Sequence, residues 1–164
     1  MIVLSDTSPL NYLVLIGHVD VLPALFGEVI VPEAVRDELQ SSGAPAVVKQ
    51  WMSNPPAWCI VRSAAHLIEN IKLGIGEVEA ISLAIELHAD LLLMDDRAAR
   101  RAAESRGLSI AGTINILEAA AERELIDLRT AIANLRQTNF HIAERILARA
   151  LDADDERRQR RGLS

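Results

Sequence analysis

Short apolar runs alternate along the chain with longer stretches in which apolar positions recur at helical spacing. The short runs predict five strands, at residues 2–4, 28–31, 58–61, 91–94 and 109–111. The longer stretches predict helices at residues 9–16, 19–26, 32–40, 44–53, 77–88, 97–106, 113–123, 128–135 and 141–151. Ser8 followed by Pro9 predicts the N-cap and the first residue of the first helix.

The alternation of strands with helices determines the expected fold class. Strands joined by helical connections pair in parallel through right-handed crossovers. The uninterrupted apolar run at 91–94 is typical of a strand covered on both faces. We therefore expect an α/β fold, a three-layer α/β/α sandwich with a mostly parallel central sheet. We assign residues 1–151 to a single domain and residues 152–164 to a charged C-terminal tail.

Composition narrows the class of protein further. A hydrophobic share of 50% excludes a mainly disordered chain, and no apolar run approaches the ~20 residues that cross a bilayer. The N-terminus lacks the basic region of a secretion signal, and Cys59 is the only cysteine, so we expect a cytoplasmic protein with Cys59 as inert core. The net charge of −6 argues against a protein that coats nucleic acid, but it does not exclude an enzyme that cleaves phosphodiesters through metal ions, whose ligands are carboxylates.

Acidic residues follow two of the predicted strands. Asp6 comes after the first strand, and the pair Asp95 and Asp96 closes the fourth. In open parallel sheets, ligands bind beyond the carboxyl ends of the strands, so these side chains are candidates for a site. Asp96 also suits the N-cap of the helix that begins at Arg97, and Asp6 also suits an ordinary turn beside Ser-Pro.

Helix periodicity separates two further glutamates from their neighbours. Glu77 has apolar residues three, four and seven positions later, so it lies on the helix face turned toward the sheet, whereas we expect Glu79 to be solvated. By the same test Glu38 leans toward the core, while Glu33 and Asp37 form a solvated acidic face. An ordinary boundary position is the alternative for Glu38.

The four candidate acids would need a counter-charge if they shared one crevice. Neighbouring carboxylates repel by about 4 kcal/mol per close pair at an effective dielectric constant of 20. A fold with an ordinary stability of ~5–15 kcal/mol does not carry several such pairs unrelieved. Divalent cations give that relief, and oxygen ligands favour Mg²⁺ or Mn²⁺.

The order of these motifs resembles that of the PIN-domain nucleases. The matching segments are VLSDTSPL, VPEAVRDEL, GIGEVEAISLA and LLLMDD, followed by DDRAAR and GTINIL, and they span residues 1 to about 135. They are most similar to a toxin-like prokaryotic subgroup related to the VapC-type toxins. The resemblance implies a site of catalytic and metal-binding acids, namely Asp6, Glu38, Glu77 and Asp95, with Asp96 as a further metal ligand.

The resemblance also implies partners and substrate. Members of the family cleave RNA with Mg²⁺ or Mn²⁺, and many act as homodimeric toxins that a small antitoxin protein neutralises. Thr113 matches a hydroxyl position near the site, although a helix N-cap explains it equally well. Two positions depart from the pattern: Glu77 stands where aspartate is more widespread, and Asn115 replaces the usual glycine.

The mechanism we expect is metal-assisted hydrolysis of RNA. Asp6 and Asp95 would hold one ion, and Glu38 or Glu77 would reach a second, leaving 5′-phosphate and 3′-hydroxyl ends. We take Thr113 and Arg97 as candidate substrate-binding residues.

Other interpretations remain open beside this mechanism. We expect Arg100 to form a surface ion pair with Glu104, four residues later, and Ala98 to face inward. A phosphoaspartyl hydrolase is disfavoured because Ser8 stands where that chemistry needs an aspartate. The main alternative is a catalytically inactive PIN-like module that docks a protein or nucleic acid.

Overall fold

The computed structural model describes residues 1–162. Its strands are β1 (Val3–Ser5), β2 (Val29–Pro32), β3 (Cys59–Arg62), β4 (Leu91–Leu93) and β5 (Ile110–Ala111). Its helices are α1 (Thr7–Leu15), α2 (Val21–Phe26), α3 (Glu33–Leu39), α4 (Ala46–Ser53), α5 (Ile75–Glu86), α6 (Arg97–Glu104), α7 (Thr113–Glu122), α8 (Leu128–Arg136) and α9 (Glu144–Arg160). Every predicted strand and helix is present, with ends that differ by a few residues except at α9.

The strands form one parallel sheet in the order β3-β2-β1-β4-β5. The central strand β1 pairs with β4 along its whole length, and Ser5 lies opposite Leu93. The predicted burial of the fourth strand is confirmed, because Leu92, Leu93 and Met94 are fully buried. The strand order brings the residues that follow β1 and β4 to neighbouring positions at the carboxyl edge of the sheet.

Small and aliphatic side chains hold the helices α5 and α6 against this sheet. Alanines and leucines of α5 and alanines of α6 pack on β1 and β4 in one buried cluster, comprising Leu4, Ala80, Ile81, Leu83, Ala84, Leu92, Met94, Ala99 and Ala103. Alanine lets a helix backbone approach the sheet closely at no cost in helix propensity. Cys59 in β3 is buried, as predicted for a core position, and this burial raises the pKa of its thiol to about 11, which favours the unreactive thiol form.

The described residues form two compact units. The first, Met1–Thr113, contains the sheet and helices α1 to α6, and the second begins at Ile114. The predicted fold class, a three-layer α/β/α sandwich with a parallel sheet, is confirmed. The assignment of residues 1–151 to a single domain stays a prediction. No helix within residues 1–162 combines the length and the apolar character needed to cross a membrane.

Two helices begin earlier than predicted. The first helix begins at Thr7, with Asp6 in the N-cap position, so the assignment of Ser8 as N-cap is wrong. Helix α5 begins at Ile75 and not near Glu77. Both helices begin earlier because their first residues are oriented by contacts from distant parts of the chain, which a local capping rule does not include.

The charged segment after residue 151 is helical in the second unit, which corrects its description as a tail. Helix α9 runs to Arg160, and its Asp154 is only 4% exposed and pairs with Arg157 at 2.5 Å. Arg129 of α8 pairs with Asp155 at 3.0 Å. These ion pairs give the charged residues partners within their own unit. The last two residues of the predicted tail, 163 and 164, lie outside the described range.

Candidate active site

Asp6 lies at the carboxyl edge of the sheet, where β1 ends and α1 begins. Its backbone N–H donates to the carbonyl of Leu93 at 2.9 Å, which fixes it beside the end of β4. Its side chain is only 4% exposed, and its Oδ1 is buried with no hydrogen-bond partner within residues 1–162. A buried carboxylate oxygen without a donor is costly, so this atom is a candidate contact for a cation or a water.

The charges around Asp6 show which other acids are near it. Burial raises the pKa of the Asp6 carboxyl from 3.8 to about 7, and a hydrogen bond from the backbone of Thr7 partly opposes this effect. The carboxylates of Glu77, Glu38 and Asp95 raise the same pKa further, in that order. The charges of the other three predicted acids therefore act on Asp6, and their assignment as one site stays a prediction.

Glu38 is held by donors from two other helices. Its Oε2 accepts from the hydroxyl of Thr7 at 2.6 Å, and its Oε1 accepts from the backbone N–H of Gly76 at 3.0 Å. The residue is exposed, so the expected lean toward the core is wrong. A Cβ atom at position 76 would overlap this carboxylate, since it would lie 2.9 Å from the Glu38 Cδ. The glycine therefore permits the close approach of α3 and α5.

Asp95 accepts three hydrogen bonds, all of 2.7 Å. Two come from Thr113, whose backbone N–H reaches Oδ1 and whose hydroxyl reaches Oδ2, and the third comes from the hydroxyl of Ser8. Thr113 is fully buried, so its hydroxyl positions Asp95 and does not face substrate as we expected. Ser8, Thr7 and Gly76 are site residues that the sequence reasoning missed.

Glu77 and Asp96 both interact with helix starts at this edge. The Glu77 carboxylate accepts from the N–H of Gly74, the N-cap of α5, at 3.1 Å, and burial followed by the charges of Asp96 and Glu38 raises its pKa. Asp96 accepts from the N–H of Ala99 at 3.0 Å, so its predicted role as the N-cap of α6 is confirmed. Asp96 is exposed, whereas Glu77 is half-buried.

These acids interact, but they do not form a ready-made ion cage. Across residues 1–162, no group of three or more acidic, histidine or cysteine side chains has the spacing to hold one metal ion. The raised pKa of Asp6 does not conflict with this wide spacing, because charges act on each other over longer distances than coordination bonds span. Mg²⁺ suits such a site, since it usually binds one or two carboxylates together with waters and substrate phosphates.

Comparison with known proteins identifies the family. The sequence profile of a family described as "DUF3368: PIN domain" matches residues 2–156. The chain belongs to the PIN-domain family. This PIN domain is similar to a PilT N-terminus domain protein, SSO1118, from the hyperthermophilic archaeon Sulfolobus solfataricus P2, with a TM-score of 0.50 and 19% identity over 87% of this chain and 100% of that chain. No curated protein matches the chain.

Membership in the PIN-domain family supports a general function. The PIN domain is a nuclease-type fold, its members are generally hydrolytic nucleases, and they typically use divalent metal ions. The relation to the VapC-type toxins stays a prediction.

Glu79 of this PIN domain is not solvated, which corrects the prediction. Its carboxylate accepts from the backbone N–H of Ala34 in the first turn of α3 at 2.8 Å, and from the N–H of Ala64 at 3.4 Å. Negative charge at a helix N-terminus is favourable, so this contact fixes the start of α3, the helix that carries Glu38. The sequence could not show it, because these partners come from residues far away along the chain.

The arginines of α6 follow Asp95 and Asp96 directly along the chain. Arg97 and Arg101 are exposed, and the expected ion pair between Arg100 and Glu104 does not form in the described part of the chain. Ala98 is exposed and does not face inward as expected. In this PIN domain, α6 presents Arg97 and Arg101 to solvent directly after the acids that end β4, and Arg100 is half-buried.

Proposed function

We propose that this chain is a metal-dependent ribonuclease whose catalytic acids are Asp6, Glu38, Glu77 and Asp95. The observation that carries the proposal is the Asp6 carboxylate, which is buried, has one oxygen without a hydrogen bond in the described residues, and is acted on by the charges of three other acids. A cation at this position would both provide that missing contact and remove the repulsion between the acids. The nuclease-type fold of the family supports the same activity.

The donor set fits a hard divalent ion. All candidate ligands are carboxylate oxygens, which favour Mg²⁺ or Mn²⁺ over metals that prefer sulfur or nitrogen. Asp6 is the first ligand we propose, since its Oδ1 is buried and accepts no hydrogen bond in the described residues, and Glu77 is the second. Glu38 and Asp95 complete the proposed set, and Asp96 is a weaker candidate because it already caps α6.

The residues of the chain would prepare this site before substrate arrives. Hydrogen bonds from Thr7 and Gly76 orient Glu38, and those from Ser8 and Thr113 orient Asp95, so neither carboxylate needs to reorganise during the reaction. A bound ion would supply an activated water and neutralise charge on the phosphate. Cleavage would leave 5′-phosphate and 3′-hydroxyl ends.

The biological setting forms part of the proposal. We infer a toxin that acts on RNA in the cytoplasm, as a homodimer neutralised by a small antitoxin. This inference is supported by the resemblance to VapC-type toxins and by the nuclease-type family. Thr113 stays in the proposal as a positioning residue, and Arg97 stays as a contact to substrate phosphate.

A cleavage assay tests the proposed activity. Purified chain is incubated with end-labelled single-stranded and hairpin RNAs with Mg²⁺, with Mn²⁺ or with EDTA. We expect cleavage to require the metal and to be abolished by Asp6→Asn. The control is Asp37→Asn, which replaces an exposed acid of α3 and should leave cleavage unchanged. Full activity in Asp6→Asn, or cleavage that persists in EDTA, would contradict the proposal.

An inactive binding module is the second candidate. It is favoured by the lack, within residues 1–162, of three side chains spaced for one ion, and by the hydrogen bonds that both oxygens of Glu38 and Asp95 already accept. Isothermal titration with Mn²⁺ distinguishes the candidates. Metal binding that Asp6→Asn removes, combined with no cleavage of any RNA tested, would support the module.

A further inference from the structure

We propose that the arginine face of α6, formed by Arg97, Arg100 and Arg101, binds the phosphodiester backbone of a single-stranded nucleic acid that leads into the acidic site. The inference rests on the proposed function, because it names the surface that carries the substrate of that site. It goes beyond that function because it assigns the contact to a whole helix face and predicts how binding depends on salt.

The geometry of α6 puts the three arginines on one face. Residues three and four positions apart are neighbours on a helix, so Arg97 lies beside both Arg100 and Arg101. The opposite face is buried through Ala99 and Ala103. Arg97 and Arg101 are exposed and Arg100 is half-buried, and a rise of about 1.5 Å per residue spreads the three over roughly one helical turn.

The three arginines of α6 have no acidic partner in the described residues, a feature that they share with Arg145 and Arg149, whereas several other arginines have a bonded partner. In the same unit, Arg36 pairs with Glu33 at 3.0 Å, and the guanidinium of Arg106 donates to the carbonyl of Ala102 at 2.9 Å. In the second unit, carboxylates pair with Arg129, Arg136, Arg157, Arg158 and Arg161. No carboxylate in residues 1–162 forms an ion pair with Arg97, Arg100 or Arg101.

The position of α6 at the acidic edge of the sheet indicates which ligand its arginines bind. Helix α6 begins directly after Asp95 and Asp96, at the edge of the sheet where the acids lie. A polyanion that approaches these acids is repelled unless cations hold it nearby, and arginine forms bidentate contacts with phosphate. Three unpaired guanidinium groups beside an acidic site therefore fit a phosphate backbone better than a neutral ligand. An acidic protein segment is the alternative occupant that the experiment must exclude.

The test measures binding separately from cleavage. In an Asp6→Asn background with Mg²⁺, fluorescence anisotropy measures the affinity for an end-labelled single-stranded RNA, and for DNA of the same sequence, over a range of salt concentrations. The test variant carries Arg97→Gln and Arg101→Gln. Its matched control carries Arg145→Gln and Arg149→Gln, which are also exposed, unpaired and four residues apart, on α9. Both variants change the net charge equally.

The expected result is a lower affinity of the α6 variant for both RNA and DNA. The slope of log affinity against log salt falls by about 1.4, because each lost contact to a single strand contributes about 0.7. The α9 control retains the original slope. Equal losses in both variants, an unchanged slope, or no binding of either strand by the Asp6→Asn chain would overturn the inference.

Two further outcomes separate this inference from its alternatives. If a polyglutamate peptide displaces the RNA from α6 at equal charge concentration, the face binds acidic protein segments and the inference is wrong. If the α6 effect is present but the unmodified chain cleaves no RNA, the inference holds while the proposed ribonuclease activity fails. Cleavage without any α6 effect gives the reverse result. Circular dichroism of both variants verifies that the fold is unchanged.

Discussion

Replacing Asp6 by asparagine should change how the stability of the metal-free protein depends on pH. The pKa of this carboxyl is about 7 in the folded chain and 3.8 as its ordinary value. Between these values the folded state keeps a proton that the unfolded state has lost, so the free energy of unfolding falls as the pH rises. Asp6→Asn has no such proton and should lack this part of the pH dependence.

The size of this change in the free energy of unfolding follows from the shift of the Asp6 pKa. A difference of about 3 units at 1.36 kcal/mol per unit corresponds to about 4 kcal/mol, lost between about pH 4 and pH 8. The difference in unfolding free energy between Asp6→Asn and the unmodified chain should therefore change by about this amount, in favour of the variant at high pH. Contributions from other titrating groups largely cancel in the comparison.

The structure provides a fluorescent probe for the unit concerned. Both tryptophans, Trp51 and Trp58, lie in the first unit with their rings 5.8 Å apart, so their emission reports on the unfolding of the part that contains Asp6. Urea unfolding in EDTA at a series of pH values gives the free energies. Glu69→Gln, which removes an exposed carboxylate, is the control and should follow the unmodified chain.

The result that would refute this reasoning is a constant difference between Asp6→Asn and the unmodified chain over the whole pH range. Mg²⁺ extends the test, since a ligand of the folded state alone stabilises it, by about 2.7 kcal/mol at 100 times its dissociation constant. The stabilisation should be large at high pH in the unmodified chain and absent in Asp6→Asn.

Three further substitutions test separate contacts. Gly76→Ala should displace the carboxylate that its amide holds and reduce cleavage at least tenfold, or about 1.4 kcal/mol, whereas Gly43→Ala, where a Cβ meets no atom within 4 Å, should cleave normally. Thr113→Val should lower kcat and Thr113→Ser should restore it; equal rates for both would exclude a role for the hydroxyl. Asp154→Asn should destabilise the second unit by about 3–5 kcal/mol in thermal unfolding, because it breaks a buried ion pair. Asp152→Asn, an exposed neighbour, should change the unfolding temperature little.

Local patterns were sufficient to predict the sheet. The fourth strand is a fully apolar run and proved to be a buried central strand, because a strand with helices on both faces has no solvent side. Once the strands were known, the acids after β1 and β4 had to lie at the same edge, since parallel strands end together. The same reasoning predicted that Asp96 caps α6, which is a local interaction.

Contacts between residues far apart in the chain could not be predicted from the sequence. Glu79 was predicted to be solvated, but it binds backbone groups of Ala34 and Ala64, and nothing in its own helix indicates those partners. Ser8 was predicted to cap a helix, but its hydroxyl donates to Asp95, 87 positions later in the chain. In each case a polar side chain had a plausible local role, and the tertiary fold gave it a different one.

The charged C-terminal residues show the same limit. The run after residue 151 alternates between acidic and basic blocks, which is typical of solvated segments. Its acids and arginines instead pair within α9 and with the preceding helices of the second unit, so the helix continues to Arg160. Charge pattern alone does not separate a solvated run from one whose partners lie elsewhere in the fold.

Because Gly76 lies so close to Glu38, a substitution at either position limits which residues the other position can hold. Any larger residue at 76 requires the acid at 38 to shift or to shorten, and a shorter acid would leave the amide of residue 76 without its acceptor. We therefore expect relatives of this chain to keep both residues or to replace both. A relative that replaced both in two separate steps would have passed through an ancestor with an impaired site.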